Sequence, residues 1–442
     1  MGTLKAGFAR VDITPPLGTR VVGYYRVRHA EGILDPLLAT AVAVSDGENT
    51  VLIISVDNLG INQVTADRIR EGAAEQCGIP CESVFTCCTH THLGPAIGEN
   101  RDGYDPVYTD YAIGKIIGVA KMAVDDLKDA EMYVNSCETP VDISFVRRFR
   151  MKDGRCATNP GFLNPDIDHP LGEADKRVAL TYFKREGAPE IAIINFQVHP
   201  DVVGGLLMSA DYPHFVRSTY EKVIPNSRCM YINGAQGDTN HINVTLPEHL
   251  RRRGYPLSEH MGRTIAGTAI SLYAMAEKAE GCPVSAKQIN VEVPFNKAET
   301  AEELENAKYI KMLYDNDRKD EIPLPKGHSA MTRTQAIARA CRMVELDSMP
   351  TMKTLHVTGV RVGDFALVGF PGEPFTEIGR LVKAASDYKM TYIACCASGY
   401  EGYYPSASAM EEGGYEAAAA KYKTGTAEKL IETGIKILDE MK

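Results

Sequence analysis

Val84-Phe85-Thr86-Cys87-Cys88 runs without a break into Thr89-His90-Thr91-His92-Leu93-Gly94-Pro95. The first five residues form a short, mostly apolar run, as expected of a strand buried on both faces. Two imidazoles stand at its end, and Gly-Pro turns the chain. Related units recur along the sequence. Residues 51–56 form a β-branched run, followed by a helical pattern over 62–76. Residues 191–198 end at His199-Pro200, and 228–232 end at Asn233-Gly234. Residues 365–370 end at Pro371-Gly372-Glu373, and 391–396 end near Ser398-Gly399-Tyr400. Helical patterns over 108–127, 300–315 and 333–346 and an alternating strand over 284–295 complete an α/β organisation: mixed sheets with flanking helices. Residues 316–331, rich in Lys, Asp and Pro, read as a surface excursion, and Ala417 to Ala420 reads as part of a terminal helix. No linker divides the chain, so 1–442 is expected to be one domain. In α/β sheets, sites form beyond the carboxyl ends of strands. Five of these runs end in polar, Gly-rich or His-bearing segments, which places them around one cleft.

The residues at those ends suggest a chemistry. His90 and His92, two apart on an extended and turning backbone, can reach one metal, and neutral imidazole is the commonest zinc ligand. Alone, such a pair more often merely caps a strand end through hydrogen bonds. His199 alone is an ordinary strand-end histidine. Glu373 alone is a carboxylate at a helix start, favoured by the dipole. Tyr400, Tyr403 and Tyr404 alone are an aromatic loop. Together, imidazoles, one carboxylate and one phenol are what a catalytic zinc uses when one position stays open for water. Gly234-Ala235-Gln236-Gly237-Asp238 is either a tight turn or a place where backbone N–H groups approach a substrate. HExxH, GxSxG, P-loop and dinucleotide signatures are absent.

The bulk composition narrows the class. The 442 residues are 44% hydrophobic and 24% charged, an ordinary globular balance. A net charge of −10 argues against nucleic-acid or anionic-membrane partners, which call for a basic face. Eleven cysteines, an odd number with adjacent pairs Cys87-Cys88 and Cys395-Cys396 inside apolar runs, read as reduced core thiols. The start Met1-Gly2-Thr3-Leu4 shows neither a signal peptide nor support for myristoylation, and no run has transmembrane length. The expected location is therefore cytoplasmic, without integral membrane contact. Nothing in the sequence bears on oligomeric state.

The chain resembles the N-terminal catalytic domain of the neutral/alkaline, non-lysosomal ceramidases. The resemblance rests on Ala9-Arg10-Val11-Asp12-Ile13-Thr14-Pro15-Pro16 with Gly23-Tyr24, on Asp35-Pro36-Leu37, and on Thr89-His90-Thr91-His92-Leu93-Gly94-Pro95. It extends to Arg147, His199, Gly237-Asp238, Pro371-Gly372-Glu373 and Tyr400-Glu401-Gly402-Tyr403. It implies zinc held by His90, His199, Glu373 and Tyr403, with His92 beside the metal. It further implies that Arg147 and Tyr415 hold polar substrate groups, Tyr415 standing twelve residues after Tyr403. The C-terminal immunoglobulin-like domain of characterised members is not part of this sequence. Thr239 and Asn240, not Ser, come after Gly237-Asp238, so the expected nucleophile is metal-activated water. There is no Trp and no long apolar insertion to meet a lipid. The expected function is a zinc-dependent hydrolase acting on the amide bond of an N-acylated small molecule. A zinc esterase or lactonase on the same site, and a non-catalytic ligand-binding relative, are the alternatives.

Overall fold

Residues 38–45 and 50–56 show why the apolar runs form buried strands. In Leu38–Ser45 and Thr50–Val56, successive side chains point to opposite faces. Ala39, Ala41, Ala43, Leu52, Ile54 and Val56 enter one core, and Val42, Val44, Val51 and Ile53 enter another. The structure, a computed structural model, describes residues 3–99, 103–324 and 330–442. Met1-Gly2 and residues 325–329 of the excursion thus lie outside the described residues.

Eight strands form one continuous path, with Glu277–Ala279 attached at its middle. From one edge to the other, the path runs Ser227–Asn233, Glu190–Phe196, Arg177–Arg185, Lys128–Glu138, Lys5–Asp12, Leu38–Ser45, Thr50–Val56 and Val84–Cys88. A second sheet is ordered Val284–Pro294, Met352–Val362, Phe365–Gly369, Met390–Ala394. The two sheets face each other. Val42, Ile53, Phe85, Ile193 and Ile232 of the first share a core with Val360, Phe365, Leu367 and Tyr392 of the second.

Helices cover the outer faces. Gln63–Cys77 and Pro106–Asp125 pack Ile69, Ala73, Ala112, Ile116 and Val119 on one half of the large sheet. Tyr212–Val223 and Tyr255–Tyr273 pack Val216, Met261 and Ile265 on the other half. Thr376–Ala384 and Thr426–Glu440 cover the second sheet through Ile378, Val382, Leu430 and Ile437. The result is a helix–sheet–sheet–helix stack, the mixed-sheet α/β class expected from the sequence.

The expected elements appear with shifts of one to three residues at their ends. Asn62 caps the first helix through the Thr65 N–H, and Thr300 caps Ala301–Asp315 through the Glu303 N–H. Two expectations change. Ala417 to Ala420 does not belong to the terminal helix: a short helix, Tyr415–Ala419, ends first, and Ala420 is extended. The excursion is not purely a surface feature. Ile322 is buried against Leu313 and Ile337, and Asp317 and Lys319 line the main cleft. The strands Lys128–Glu138 and Arg177–Arg185 carry too many charged residues to read as buried runs, yet they pair antiparallel over nine positions. None of the cysteines is disulfide-bonded, and Cys87, Cys88, Cys395 and Cys396 are buried. No helix among the described residues is long and apolar enough to cross a membrane.

Most neighbouring strands of the two main sheets are antiparallel, but three pairs there are parallel: Thr50–Val56 with Val84–Cys88, Glu190–Phe196 with Ser227–Asn233, and Phe365–Gly369 with Met390–Ala394. Loops from the carboxyl ends of all three pairs converge. A buried bidentate pair braces this region: Arg217 Nη1 and Nη2 donate to Asp57 Oδ1 and Oδ2 at 2.9 and 2.7 Å. Asp57 Oδ2 also accepts from the Leu38 N–H at 2.9 Å. Removing one partner strands the other charge in the interior. Asp57→Ala should therefore cost about 3–5 kcal/mol in denaturant unfolding. Arg68→Ala, which loses an exposed pair with Asp110, should change the midpoint little.

Candidate metal centre

Each parallel pair contributes one residue to a common point. His90 comes just after Val84–Cys88, and its backbone lies in the left-handed region at φ 72°. A non-glycine residue held there is strained, and the surroundings fix it. The His90 N–H donates to Asn58 O at 2.9 Å, and Asn233 Nδ2 donates to Thr89 O at 3.1 Å. His199 comes just after Glu190–Phe196. Glu373 lies beyond Phe365–Gly369 and forms a two-residue parallel bridge in which it stands opposite Tyr403. That bridge requires glycine at 372, where a Cβ would lie 2.4 Å from Gly402 O.

Three donor atoms meet: His90 Nε2 lies 3.2 Å from His199 Nε2 and 3.2 Å from Glu373 Oε2, and His199 Nε2 lies 3.5 Å from the same oxygen. All three side chains are 1% exposed. Their outer atoms are anchored by hydrogen bonds. His90 Nδ1 lies 2.6 Å from Leu59 O, which fixes the proton on Nδ1 and leaves the Nε2 lone pair facing inward. His199 Nδ1 lies 3.4 Å from Gln236 O, which turns its Nε2 inward. Tyr400 donates its phenolic O–H to Glu373 Oε1 at 2.9 Å, and Glu373 Oε2 makes no hydrogen bond. Ligands bound at about 2.0–2.1 Å in a tetrahedron stand roughly 3.3 Å apart. The observed separations fit a small divalent cation.

At Glu373 and His199 the electrostatics favour the same use, and at His90 they oppose it. Burial works against ionisation of Glu373, yet His90, His199 and Arg147 hold its carboxyl below the usual range. Burial, with Arg147 and His90, pushes His199 well down. Burial also pulls on His90, but the Glu373 carboxylate outweighs it and the imidazole is raised. Burial, then the neighbouring His90, lowers His92 to about 3.

His92 belongs to the same cluster: ring nitrogens of His90, His92 and His199 all lie within 4.8 Å of one another. The His90–His199–Glu373 triangle is tighter and is the closer fit to one ion. His92 has no hydrogen bond at either nitrogen. Tyr24 lies over it with ring centroids 5.1 Å apart. Tyr403 is buried, its ring 6.5 Å from that of His199 and 5.7 Å from that of Tyr415. Arg147 is buried too. Its Nε donates to Glu416 Oε1 and its Nη2 to Gly237 O, both at 2.7 Å, and its Cζ lies 5.4 Å from the Tyr403 ring centroid. Nη1 faces His199 Nδ1 at 3.5 Å. The Gly234–Asp238 turn does not present free N–H groups at its glycines: Gly234 N and Gly237 N donate to Phe196 O and Pro374 O. Its carbonyls hold His199 and Arg147 instead.

Three contributors are not legible in the sequence. Tyr400 stands out there only as one of a cluster of tyrosines. Glu416 partners Arg147 from 269 positions away. Arg28 donates to the carbonyls of Val22, His92 and Gly205. Neither Glu416 nor Arg28 stands at the end of an apolar run, where a polar residue is conspicuous. The centre opens into a cleft of about 1090 Å³, lined among others by His90, His92, Glu373, Tyr403 and Tyr415.

No family model matches the sequence, and no curated protein matches it either. Solved structures do. The fold is similar to the crystal structure of neutral ceramidase from Pseudomonas aeruginosa, with TM-score 0.75 and 16% identity, covering 100% of this chain and 75% of that one. A ceramidase complexed with C2 is similar at TM-score 0.74 and 16% identity, with the same coverage. The chain has a neutral-ceramidase-like fold.

The Tyr400 hydrogen bond has a measurable consequence. Tyr400→Phe frees the Glu373 carboxylate to rotate and should weaken metal affinity about 10–100-fold, with the fold intact, in a zinc titration read by calorimetry. Unchanged affinity would show that Glu373 is oriented by something else.

Proposed function

We propose that this chain is a zinc-dependent hydrolase that cleaves the amide bond of an N-acylated small molecule. The observation that carries the reading is the convergence of His90 Nε2, His199 Nε2 and Glu373 Oε2 within 3.5 Å of one another beside an open cleft. The likeness to neutral ceramidase supports an N-acyl amide as the bond. His90, His199 and Glu373 would hold the ion with Tyr403 alongside, and the ion would supply carbonyl polarisation and a water pKa lowered to roughly 7.

The chain's own residues supply the remainder. His92, pushed down to about 3 by burial and His90, stays neutral and is a poor base. It serves as a hydrogen-bond donor to the oxygen on which charge develops. Gly23 packs over its Nδ1, where a Cβ would come within 2.8 Å, so Nε2 is the nitrogen left for substrate. Tyr415 adds a phenol at the wall beside Tyr403. Arg147, held by Glu416 and Gly237, keeps a fixed positive charge behind His199 and Tyr403. This favours an ionised Glu373 and adds to the field at a developing oxyanion. Hydrolysis adds one water across the C–N bond and yields a carboxylate and an amine.

Purified protein should bind about one zinc per chain and hydrolyse members of an N-acyl panel, with matched O-acyl analogues separating amidase from esterase. His199→Ala or Glu373→Ala should abolish metal binding. His92→Ala should keep the metal and lose about 10²–10³ in kcat. Zinc content far below one, with no activity on adding zinc, overturns the reading. Loss of zinc from His92→Ala would make His92 a ligand.

A further inference from the structure

The cleft has a charge bias opposite to that of the whole molecule. The chain carries a net −10, yet Arg20, Arg26, Lys311, Lys319 and Lys421 line the cleft against two carboxylates besides Glu373, those of Asp315 and Asp317. Both carboxylates already face lining lysines: Lys311 at 2.5 Å and Lys319 at 3.7 Å. Lys421 pairs outward with Glu345 at 2.6 Å. Arg26 has no carboxylate partner among the described residues. Its Cζ lies 5.8 Å from the Tyr24 ring centroid.

A second uncompensated cation lies beneath. Arg28 is 2% exposed, and its Cζ lies 4.5 Å from the same Tyr24 centroid. Its guanidinium donates only to backbone carbonyls, those of Val22, His92 and Gly205, and its Nε has no partner. A buried guanidinium without a carboxylate leaves its charge projecting into its surroundings, because carbonyl dipoles solvate it but do not cancel it. Tyr24 thus stands between two guanidiniums, with its ring 5.1 Å from that of His92. Asp201 also lies close to Tyr24, but His241 Nδ1 holds it at 3.1 Å and it does not line the cleft.

We infer that the amide substrate carries an anionic group, a carboxylate or its equivalent, recognised at the Arg26–Tyr24–Arg28 cluster beside the metal centre. The inference rests on the hydrolase reading above and names the substrate class of that site. The Arg26 guanidinium, set over the Tyr24 ring, meets the anion directly, while Arg28 supplies a fixed field from below. The uncompensated charge of the two guanidiniums raises the local concentration of anions in the cleft.

The test uses zinc-loaded full-length protein and two matched amide pairs. One pair places the charge on the amine side, N-acetylglycine against N-acetylethanolamine. The other places it on the acyl side, N-propylsuccinamate against N-propylbutanamide. The charged member should be favoured about tenfold or more in kcat/KM in at least one pair. That preference should shrink as salt rises from about 0.02 to about 0.5 M. Arg26→Glu should lower the charged-to-neutral ratio about tenfold, and Lys128→Glu, on a remote exposed strand end, should leave it unchanged. Equal or better turnover of the neutral member in both pairs overturns the inference while leaving the hydrolase intact. Absence of turnover of every member overturns the hydrolase reading, and this inference with it.

Discussion

Two imidazole nitrogens and one carboxylate oxygen point at each other across about 3.2–3.5 Å, with all three side chains buried at the floor of a cleft. Such an arrangement is costly unless a cation or shared protons occupy its centre. Much of the surrounding structure serves to hold it. Leu59 O and Gln236 O turn the imidazoles, Tyr400 takes up the spare carboxylate oxygen, and the backbone of His90 adopts a strained conformation.

The sheets explain how so distant a set of residues meets. Each parallel pair directs its two carboxyl ends the same way, and three such pairs are distributed over two facing sheets. Packing the sheets face to face through Phe85, Ile193, Ile232, Leu367 and Tyr392 brings the three sets of loops together. The buried Arg217–Asp57 pair fixes the chain immediately before Asn58 and Leu59, whose carbonyls hold His90. Fold stability and site geometry are thus coupled through a few shared residues. Arg147 shows the same coupling at the opposite side. One guanidinium joins Glu416 and Gly237 while it faces His199 and Tyr403.

The cleft adds a layer that belongs to no single element. Its walls combine the loop around Tyr24, the helix Ala301–Asp315 and the segment after it, and the turn holding Tyr400 and Tyr403. A segment rich in charge, which reads as surface in one dimension, becomes a cleft wall because Ile322 anchors it to Leu313 and Ile337. Ile322 and the partly buried Leu324 turn its role around, and local composition carries no record of that.

The amino-acid sequence by itself determined the fold class and the positions of the polar strand ends. Continuous β-branched apolar runs such as 51–56 and 191–198 read as strands buried on both faces, and the residues just past such a strand are displayed at its end. That reasoning singled out His90, His92, His199 and Glu373, and the resemblance added Tyr403, Arg147 and Tyr415 with their expected roles. Tertiary structure alone decided which donors meet, since His90 and Glu373 are brought together by sheet packing rather than by any local pattern. It also decided the partners of those donors. Tyr400, Glu416 and Arg28 act through single hydrogen bonds or ion pairs spanning from 6 to 269 positions. Such contacts leave no periodicity or spacing in a sequence, because a hydrogen bond constrains two atoms and not the residues between them.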